Sequence, residues 1–306
     1  MEKDMSTPTS AESVCFFSPS YRNDLNRLII LRRSILKHCK TPPPHVVAVP
    51  NTDIKSFTRA LTANRVEHRC EVIAQEDIVA RKFFPRNGYK ILSKLAPSQK
   101  WRFREISGKS GWIIQQIAKL NSQKACDAAT IVALDSDVVF FRPFDCAMFA
   151  PTGAPLLVRR EPEEESAKHR KHIENARLFL SLSSGSTEHH YMSCPAVLQS
   201  DWLKKLHRFI ESKYQEDWQT ALFRQESISE YSIYGTFVQE ILKPRNITIR
   251  NKPFNVILWN ESSFNKFFEN PDDAIKSAPD QICVTVQSNL EINPESYQEK
   301  LRHLLC

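Results

Sequence analysis

The chain has 306 residues, 41% of them hydrophobic and 25% charged, enough to bury a sizeable core as one large domain. Only 6 glycines stand beside 18 prolines and 18 phenylalanines, and no G-x-G-x-x-G or G-x-x-x-x-G-K-[ST] loop occurs, which excludes the glycine-rich dinucleotide and P-loop classes. The formal charge of +7 suits an anionic membrane surface or a phosphorylated substrate, while the dispersal of bases among acids and the lack of any zinc-finger or homeodomain pattern argue against a nucleic-acid binder.

The first strand is predicted at Val14-Cys15-Phe16-Phe17, after a polar tail over residues 1–12 that has no signal-peptide core. An amphipathic helix follows from Asp24 through Leu28, Leu31 and Ile35, and Pro42-Pro43-Pro44 ends that unit. Strands at His45 to Val49 and Cys70 to Ile73 enclose a helix near Ile54 to Leu61. This β-α-β-α-β alternation opens a wound α/β sheet. In such a sheet the end of the first strand meets a nucleotide's base and ribose, so Ser18, Tyr21 and Asp24 are candidate donor contacts, with capping as the ordinary alternative for Asp24.

Residues 81–111 are basic and aromatic with few periodic cues, and read as an excursion toward the cleft that is able to grip an anionic acceptor or to stand as a surface loop. In the helix from Gly111 to Leu120, residues Trp112, Gln115, Gln116 and Lys119 share one face at i, i+3, i+4 and i+7. That polar face precedes the acidic strand directly, so Lys119 is placed to reach Asp135 or a phosphate.

The strand Thr130 to Leu134 is β-branched and apolar, and it stops on charge at Asp135 and Asp137. Carboxylates this close repel one another and gain from a shared cation. A Mn²⁺ or Mg²⁺ site completed by phosphate oxygens and water is the natural reading, and a plain polar turn the alternative.

Further along, Pro155 to Val158 forms a short strand, and the acidic-then-basic stretch from Arg159 to His172 reads as exposed, with His169 and His172 solvated. If that stretch closes as a lid, Arg159 and its neighbouring cations meet phosphate. His189 and His190 open a predicted strand and so point to opposite faces, leaving at most one for a metal or phosphate. Helices follow over Trp202 to Tyr214 and Trp218 to Phe223. Ser229 resembles an N-cap, with Glu230 in the first turn, where an anion is favoured and from where it can serve as a general base. Short strands at 247–249, 256–259 and 282–286 precede a terminal helix opened by Asn293-Pro294, and Gln287 and Ser288 lie where they can return to a nucleotide. The eight cysteines are scattered without a C-x-x-C pair, which reads as reduced, buried thiols in a cytosolic protein. No apolar run reaches the length of a membrane span.

Taken together, L-D-S-D at 134–137 and V-V-F-F-R-P-F-D at 138–145, with G-W-I-I-Q-Q-I-A-K-L before them and S-E-Y-S-I-Y-G at 229–235 after, resemble a family of bacterial glycosyltransferase-like proteins long catalogued as a domain of unknown function. More broadly, they resemble the GT-A glycosyltransferases. The resemblance implies a GT-A-like single α/β domain over 13–306, with a Rossmann-like nucleotide half (about 13–145), an acceptor half (about 146–306) and a mixed central sheet. It further implies metal-dependent transfer of a sugar from a nucleotide-sugar donor to a hydroxyl in surface polysaccharide or glycolipid synthesis. Asp137 is then the Mn²⁺ or Mg²⁺ ligand, Asp135 a metal or ribose contact with a catalytic part, and Glu230 the base of an inverting reaction. Donor contacts fall to Ser18, Tyr21, Gln115, Lys119 and Asp135, with His189, His190 and Arg159 as further contacts. The acceptor is a saccharide, a glycolipid or a phosphorylated molecule, met by a cytoplasmic protein touching the inner face of an anionic membrane.

Two other readings use the same residues. Asp135-Ser136-Asp137-Val138-Val139 satisfies the D-x-D-x-[TV] pattern of haloacid-dehalogenase-like phosphatases, although about three strands precede it here instead of none. The third reading is a GT-A-like binding protein without catalysis.

Overall fold

The structure is a computed structural model, and it describes residues 14–84, 111–160, 167–183, 189–225, 227 and 229–301. The predicted excursion at 81–111 therefore falls mostly outside the described residues, as do the side chain of His169 and residues 302–306.

A five-stranded sheet organises the molecule. It is built from β1 (Val14–Pro19), β2 (His45–Val49), β3 (Cys70–Ala74), β4 (Thr130–Ala133) and β7 (Ala196–Gln199), in the spatial order β3-β2-β1-β4-β7. The first four run parallel, and β7 is antiparallel to β4, with Thr130 opposite Gln199. The chain winds outward from β1 through β2 to β3 and then crosses back to place β4 on the other side of β1. The crevice between the carboxyl ends of β1 and β4 is thus a topological switch point, where open α/β sheets bind ligands.

Both faces of this sheet are covered, as a mostly parallel sheet requires. Alternation along the strands assigns the faces: Cys15, Phe17, Ile131 and Ala133 enter one core, while Val14, Phe16, Val132 and Leu134 enter the other. The first core is closed by α3 (residues 111–120), α5 (Ser200–Tyr214), α6 (Trp218–Phe223) and α7 (Glu230–Thr236) through Ile113, Ile117, Leu203, Leu206, Leu222 and Ile233. The second is closed by α1 (Leu25–His38), whose Leu28, Leu31 and Ile35 lie at helical spacing, together with α2 (Ile54–Ala63) through Phe57 and with Phe140 of β5 (Val138–Phe140).

Two small sheets complete the fold. One has the order β5-β10-β9, with β10 (Cys283–Val286) antiparallel to β5 and parallel to β9 (Asn255–Leu258). The other pairs β6 (Leu156–Val158) with β8 (Thr248–Arg250). Helices α8 (Glu261–Glu269) and α9 (Pro271–Lys276) follow β9, and α10 (Pro294–Lys300) follows β10. Because β10 pairs with β5, the residues immediately after β10 return to the Asp-Ser-Asp loop that leads into β5.

Two local expectations need correction. The strand predicted from His189 is instead a single bridge, Arg160 with His190, and the strand proper begins after Pro195 at β7. Proline has no N–H to give a ladder, so pairing with β4 starts one residue beyond it. The stretch read as exposed up to His172 leads into α4 (Ala167–Phe179), where His172, Ile173, Ala176 and Phe179 are buried. Their spacing of one, four and seven residues is a helical stripe that the surrounding charge obscured. The pair α8 and α9 also escaped the periodic reading, although Asn260 forms a capping box with Ser263 and Asn270 caps α9 ahead of Pro271.

Candidate functional site

The cleft at the switch point is lined by Pro19 and Asp24 from the β1 end, Asp135, Ser136 and Asp137 from the β4–β5 loop, Trp112, Gln115, Gln116 and Lys119 from α3, Glu230 from α7, and Gln287 and Ser288 after β10. Five separate stretches of chain meet there. Their convergence follows from the crossover that puts β4 beside β1 and from the pairing that brings β10 to β5.

The Asp-Ser-Asp loop is held from three sides. Leu134 N–H donates to Phe17 O at 2.9 Å, extending the β1–β4 pairing to the first aspartate. Ser136 Oγ donates to Ser20 Oγ at 2.9 Å, tying the two strand-end loops together. Val286 N–H donates to Asp137 O at 3.0 Å, and Asp135 N–H donates to Cys194 Sγ at 3.1 Å.

Lys119 occupies the middle of the site. Its Nζ lies 2.6 Å from Asp135 Oδ1 and 2.8 Å from Glu230 Oε1, and it donates to Tyr231 Oη at 2.8 Å. Burial pushes the lysine pKa down, but Asp135 and then Glu230 outweigh it and hold the ammonium well above its ordinary range. Burial, with Asp135 second, raises the Tyr231 phenol well above its ordinary range, so it stays protonated. Gln116 Oε1 accepts from Glu230 N–H at 3.0 Å, so one helix positions the first turn of the other. This contact also fixes the amide: Gln116 Nε2 is buried and has no partner among the described residues.

Asp137 has a different environment. Its Oδ2 accepts from Ser288 N–H at 3.2 Å, whereas its buried Oδ1 has no partner among the described residues. Burial first, then Asp135 and Asp24, push its pKa up to about 7 against the weaker pull of Ser288 N–H and Lys119. A carboxylate whose charge is opposed by burial and by two neighbouring acids, with one free oxygen, has the chemistry of a hard-cation ligand. Among the described residues, no group of three or more His, Cys, Asp or Glu side chains is arranged as a complete metal cage. The available donors therefore fit a cation that takes one or two carboxylates and completes its shell with phosphate oxygens and water, the habit of Mg²⁺.

Of the residues expected from the sequence, the structure brings Gln115, Lys119, Asp135, Asp137 and Glu230 into one cleft. It does not bring Ser18, Tyr21, Arg159, His189 or His190 to its lining. Ser18 is fully buried, its Oγ 2.8 Å from His45 Nε2 within the sheet, and Pro19 reaches the cleft in its place. Tyr21 is exposed beside the short turn before α1. Arg159 donates from Nε to Asn251 Oδ1 at 2.7 Å at the β6–β8 edge, and His190 is buried at its bridge to Arg160. Asp24 does stand at the N-cap of α1, but its side chain makes no cap bond. It accepts instead from Arg27 Nη1 at 2.9 Å and faces the cleft.

Sequence reasoning missed Tyr231 and Cys194. Tyr231 carried only a helical-period signal, and nothing in its neighbours revealed that its hydroxyl meets Lys119. Cys194 lies 59 positions from Asp135, and only the β4–β7 pairing brings them together.

The profile of a family described as "Family of unknown function (DUF6492)" matches residues 13–306. No curated protein matches the chain by sequence. Among solved structures, the galactosyltransferase LgtC, in complex with donor and acceptor sugar analogs, is 14% identical over 94% of this chain and 95% of its own, with a TM-score of 0.49. WbbM, a bifunctional glycosyltransferase in its apo form, is 12% identical with a TM-score of 0.53; the match covers 91% of this chain and 46% of WbbM. Core-mannan synthase A (CmsA/Ktr4) from Aspergillus fumigatus, in its Mn/GDP form, is 10% identical over 80% of this chain and 74% of its own, with a TM-score of 0.50. The fold is that of the GT-A glycosyltransferases, a mixed α/β architecture around a mixed central sheet.

Proposed function

We propose that this chain, which belongs to the DUF6492 family, is a glycosyltransferase that moves a sugar from a nucleotide-sugar donor to a hydroxyl with the help of a divalent cation. The observation that carries this reading is Asp137. Its unpartnered Oδ1 sits at the switch point of a GT-A fold, where burial first, and then Asp135 and Asp24, keep its pKa near 7.

Asp137 would hold the cation, with Asp135 beside it. Mn²⁺ or Mg²⁺ bound there would neutralise the charge that grows on the departing diphosphate. The chain's own part is to prepare that place. Ser288 N–H and Val286 N–H fix the Asp137 carboxylate and backbone, and Ser136 locks the loop to Ser20. Lys119 keeps Asp135 in place and adds positive charge at the same end of the cleft. The nucleotide then lies toward Pro19, Asp24, Gln287 and Ser288, at the ends of β1 and β10.

The base for an inverting reaction falls to Glu230, the cleft acid contributed by α7. Taking a proton from an acceptor hydroxyl would remove its charge, yet Lys119 would keep Asp135 as a partner. The phosphatase alternative loses its footing on the GT-A fold. Surface polysaccharide or glycolipid synthesis is the setting that this donor chemistry suits; no described helix is long and apolar enough to cross a membrane.

The test is turnover of a panel of sugar nucleotides with Mn²⁺ or Mg²⁺, read as release of nucleoside diphosphate and as glycoside product. Asp137→Asn should abolish metal-dependent turnover while the protein stays folded by circular dichroism, and full activity in that variant would refute the metal assignment. Glu230→Gln should lower the transfer rate by roughly 10²- to 10⁴-fold, the usual worth of a positioned base. A normal rate in a folded Glu230→Gln protein, or a product that keeps the donor's anomeric configuration by NMR, would remove Glu230 as the base.

A further inference from the structure

Helix α3 carries more of the cleft wall than the acid chemistry uses. Trp112 begins its polar face, is 48% exposed and lines the cleft. A large aromatic side chain left half open at the mouth of a polar cleft is an unusual surface feature in a protein that buries most of its rings, and it offers an apolar face to whatever enters. The ring is also backed: the buried His172 of α4 has its ring centroid 6.0 Å from that of Trp112. Gln115 and Gln116 follow on the same face, and the Nε2 of buried Gln116 is a donor whose desolvation no group among the described residues offsets.

An aromatic plane beside amide groups matches one ligand chemistry closely. A pyranose ring has an apolar C–H face and a rim of hydroxyls, and needs both at once. Position along the helix separates this place from the diphosphate end. Seven positions, about 10 Å of helix, separate Trp112 from Lys119, which is enough for a sugar ring beyond the reacting one. Asp24, Asp137, Gln287 and Ser288 lie on the strand-end side of the cleft, so the α3 wall is left for the acceptor.

We infer that Trp112, Gln115 and Gln116 form a subsite for an acceptor saccharide, with the indole as the platform for a pyranose ring, the partly exposed Gln115 amide meeting its hydroxyls and buried Gln116 forming the polar wall behind them. The inference rests on the transferase reading and narrows its acceptor to a saccharide.

The experiment measures binding of a panel of methyl glycosides to the full chain by calorimetry, and separately binding of UDP or GDP with Mn²⁺. Trp112→Ala should weaken the bound glycoside about tenfold or more, the size of one aromatic stacking contact, and Trp112→Phe should restore it to within about threefold. In turnover assays the loss should fall on the acceptor KM more than on kcat. Glycoside affinity that is unchanged in Trp112→Ala overturns the subsite. So does a loss of nucleotide–Mn²⁺ affinity as large as the glycoside loss, which would assign the indole to the nucleotide base. Failure of every methyl glycoside to bind the wild type overturns it as well. If Trp112→Ala does not fold, quenching of indole fluorescence by the glycoside in the wild type, lost in Trp112→Phe, decides the same point. Binding is read without catalysis: a protein that binds glycosides but turns over no sugar nucleotide would refute the transferase and leave the subsite standing.

Discussion

At the scale of single residues, the two aspartates of one tripeptide have been given different work by their surroundings. Asp135 is partly exposed and shares Lys119 with Glu230, so its charge is compensated by a buried cation. Asp137 is buried, with a backbone N–H on one oxygen and no partner among the described residues on the other. The difference has a measurable sign. In the unfolded chain Asp137 loses its proton near the ordinary aspartate value, and in the folded chain near 7. Between those values unfolding releases a proton, so the metal-free protein loses stability as pH rises toward 7 and stays at the lower level above it. A gap of this size corresponds to at most about 4 kcal/mol. Asp137→Asn removes the titration, so urea unfolding should show wild type and variant alike near about pH 4 and the variant more stable near about pH 8. Equal stability at the higher pH would mean that Asp137 is not penalised by burial.

At the scale of elements, the site depends on where α7 is seated, and a glycine sets how closely that helix approaches Tyr191 in the segment before β7. A Cβ added at Gly235 would lie 2.0 Å from Tyr191 Cγ, well inside van der Waals contact with the tyrosine ring. Tyr191 is in turn anchored, donating from Oη to Gln239 Oε1 at 2.9 Å in the π-helical segment Phe237–Leu242 that continues α7. Gly235→Ala must push the ring or the helix aside and should cost about 1–3 kcal/mol in chemical unfolding. Combining it with Tyr191→Ala should recover part of that cost, because the two changes share one contact. Strict additivity would show that the ring does not set the spacing. The elements themselves were legible where pattern and packing agreed: β1, β2, β3 and β4 as apolar runs, and the polar stripe of α3 as one face. Glu230 was legible as a first-turn acid, but its contact with Lys119 was not, because it joins positions 111 residues apart that only tertiary packing makes neighbours. Ser18 misled for a physical reason. Successive strand residues face opposite ways, and a strand-end serine chosen by position alone can turn inward, here toward His45.

For the whole molecule, net charge and site charge have opposite signs. The sequence carries a formal +7, which by itself suits an anionic ligand. The described cleft reverses that expectation: Asp24, Asp135, Asp137 and Glu230 line it, and its own lysine is already shared between two of them. A nucleoside diphosphate brought alone into such a place meets like charge at short range, while a divalent cation brought alone lacks the phosphate oxygens that would complete its shell. Each ligand supplies what the other needs, so their binding should be strongly coupled, and by linkage the coupling is reciprocal. Thermal unfolding reads this directly, since a ligand that binds only the folded state raises the midpoint. Mn²⁺ alone and UDP or GDP alone should each give small shifts, and the pair a shift well above their sum. In Asp137→Asn the excess should vanish, because its amide gives the cation no charge to balance. A nucleotide that stabilises the wild type fully in the presence of a chelator would show that the basic surface, and not the acidic cleft, governs donor binding.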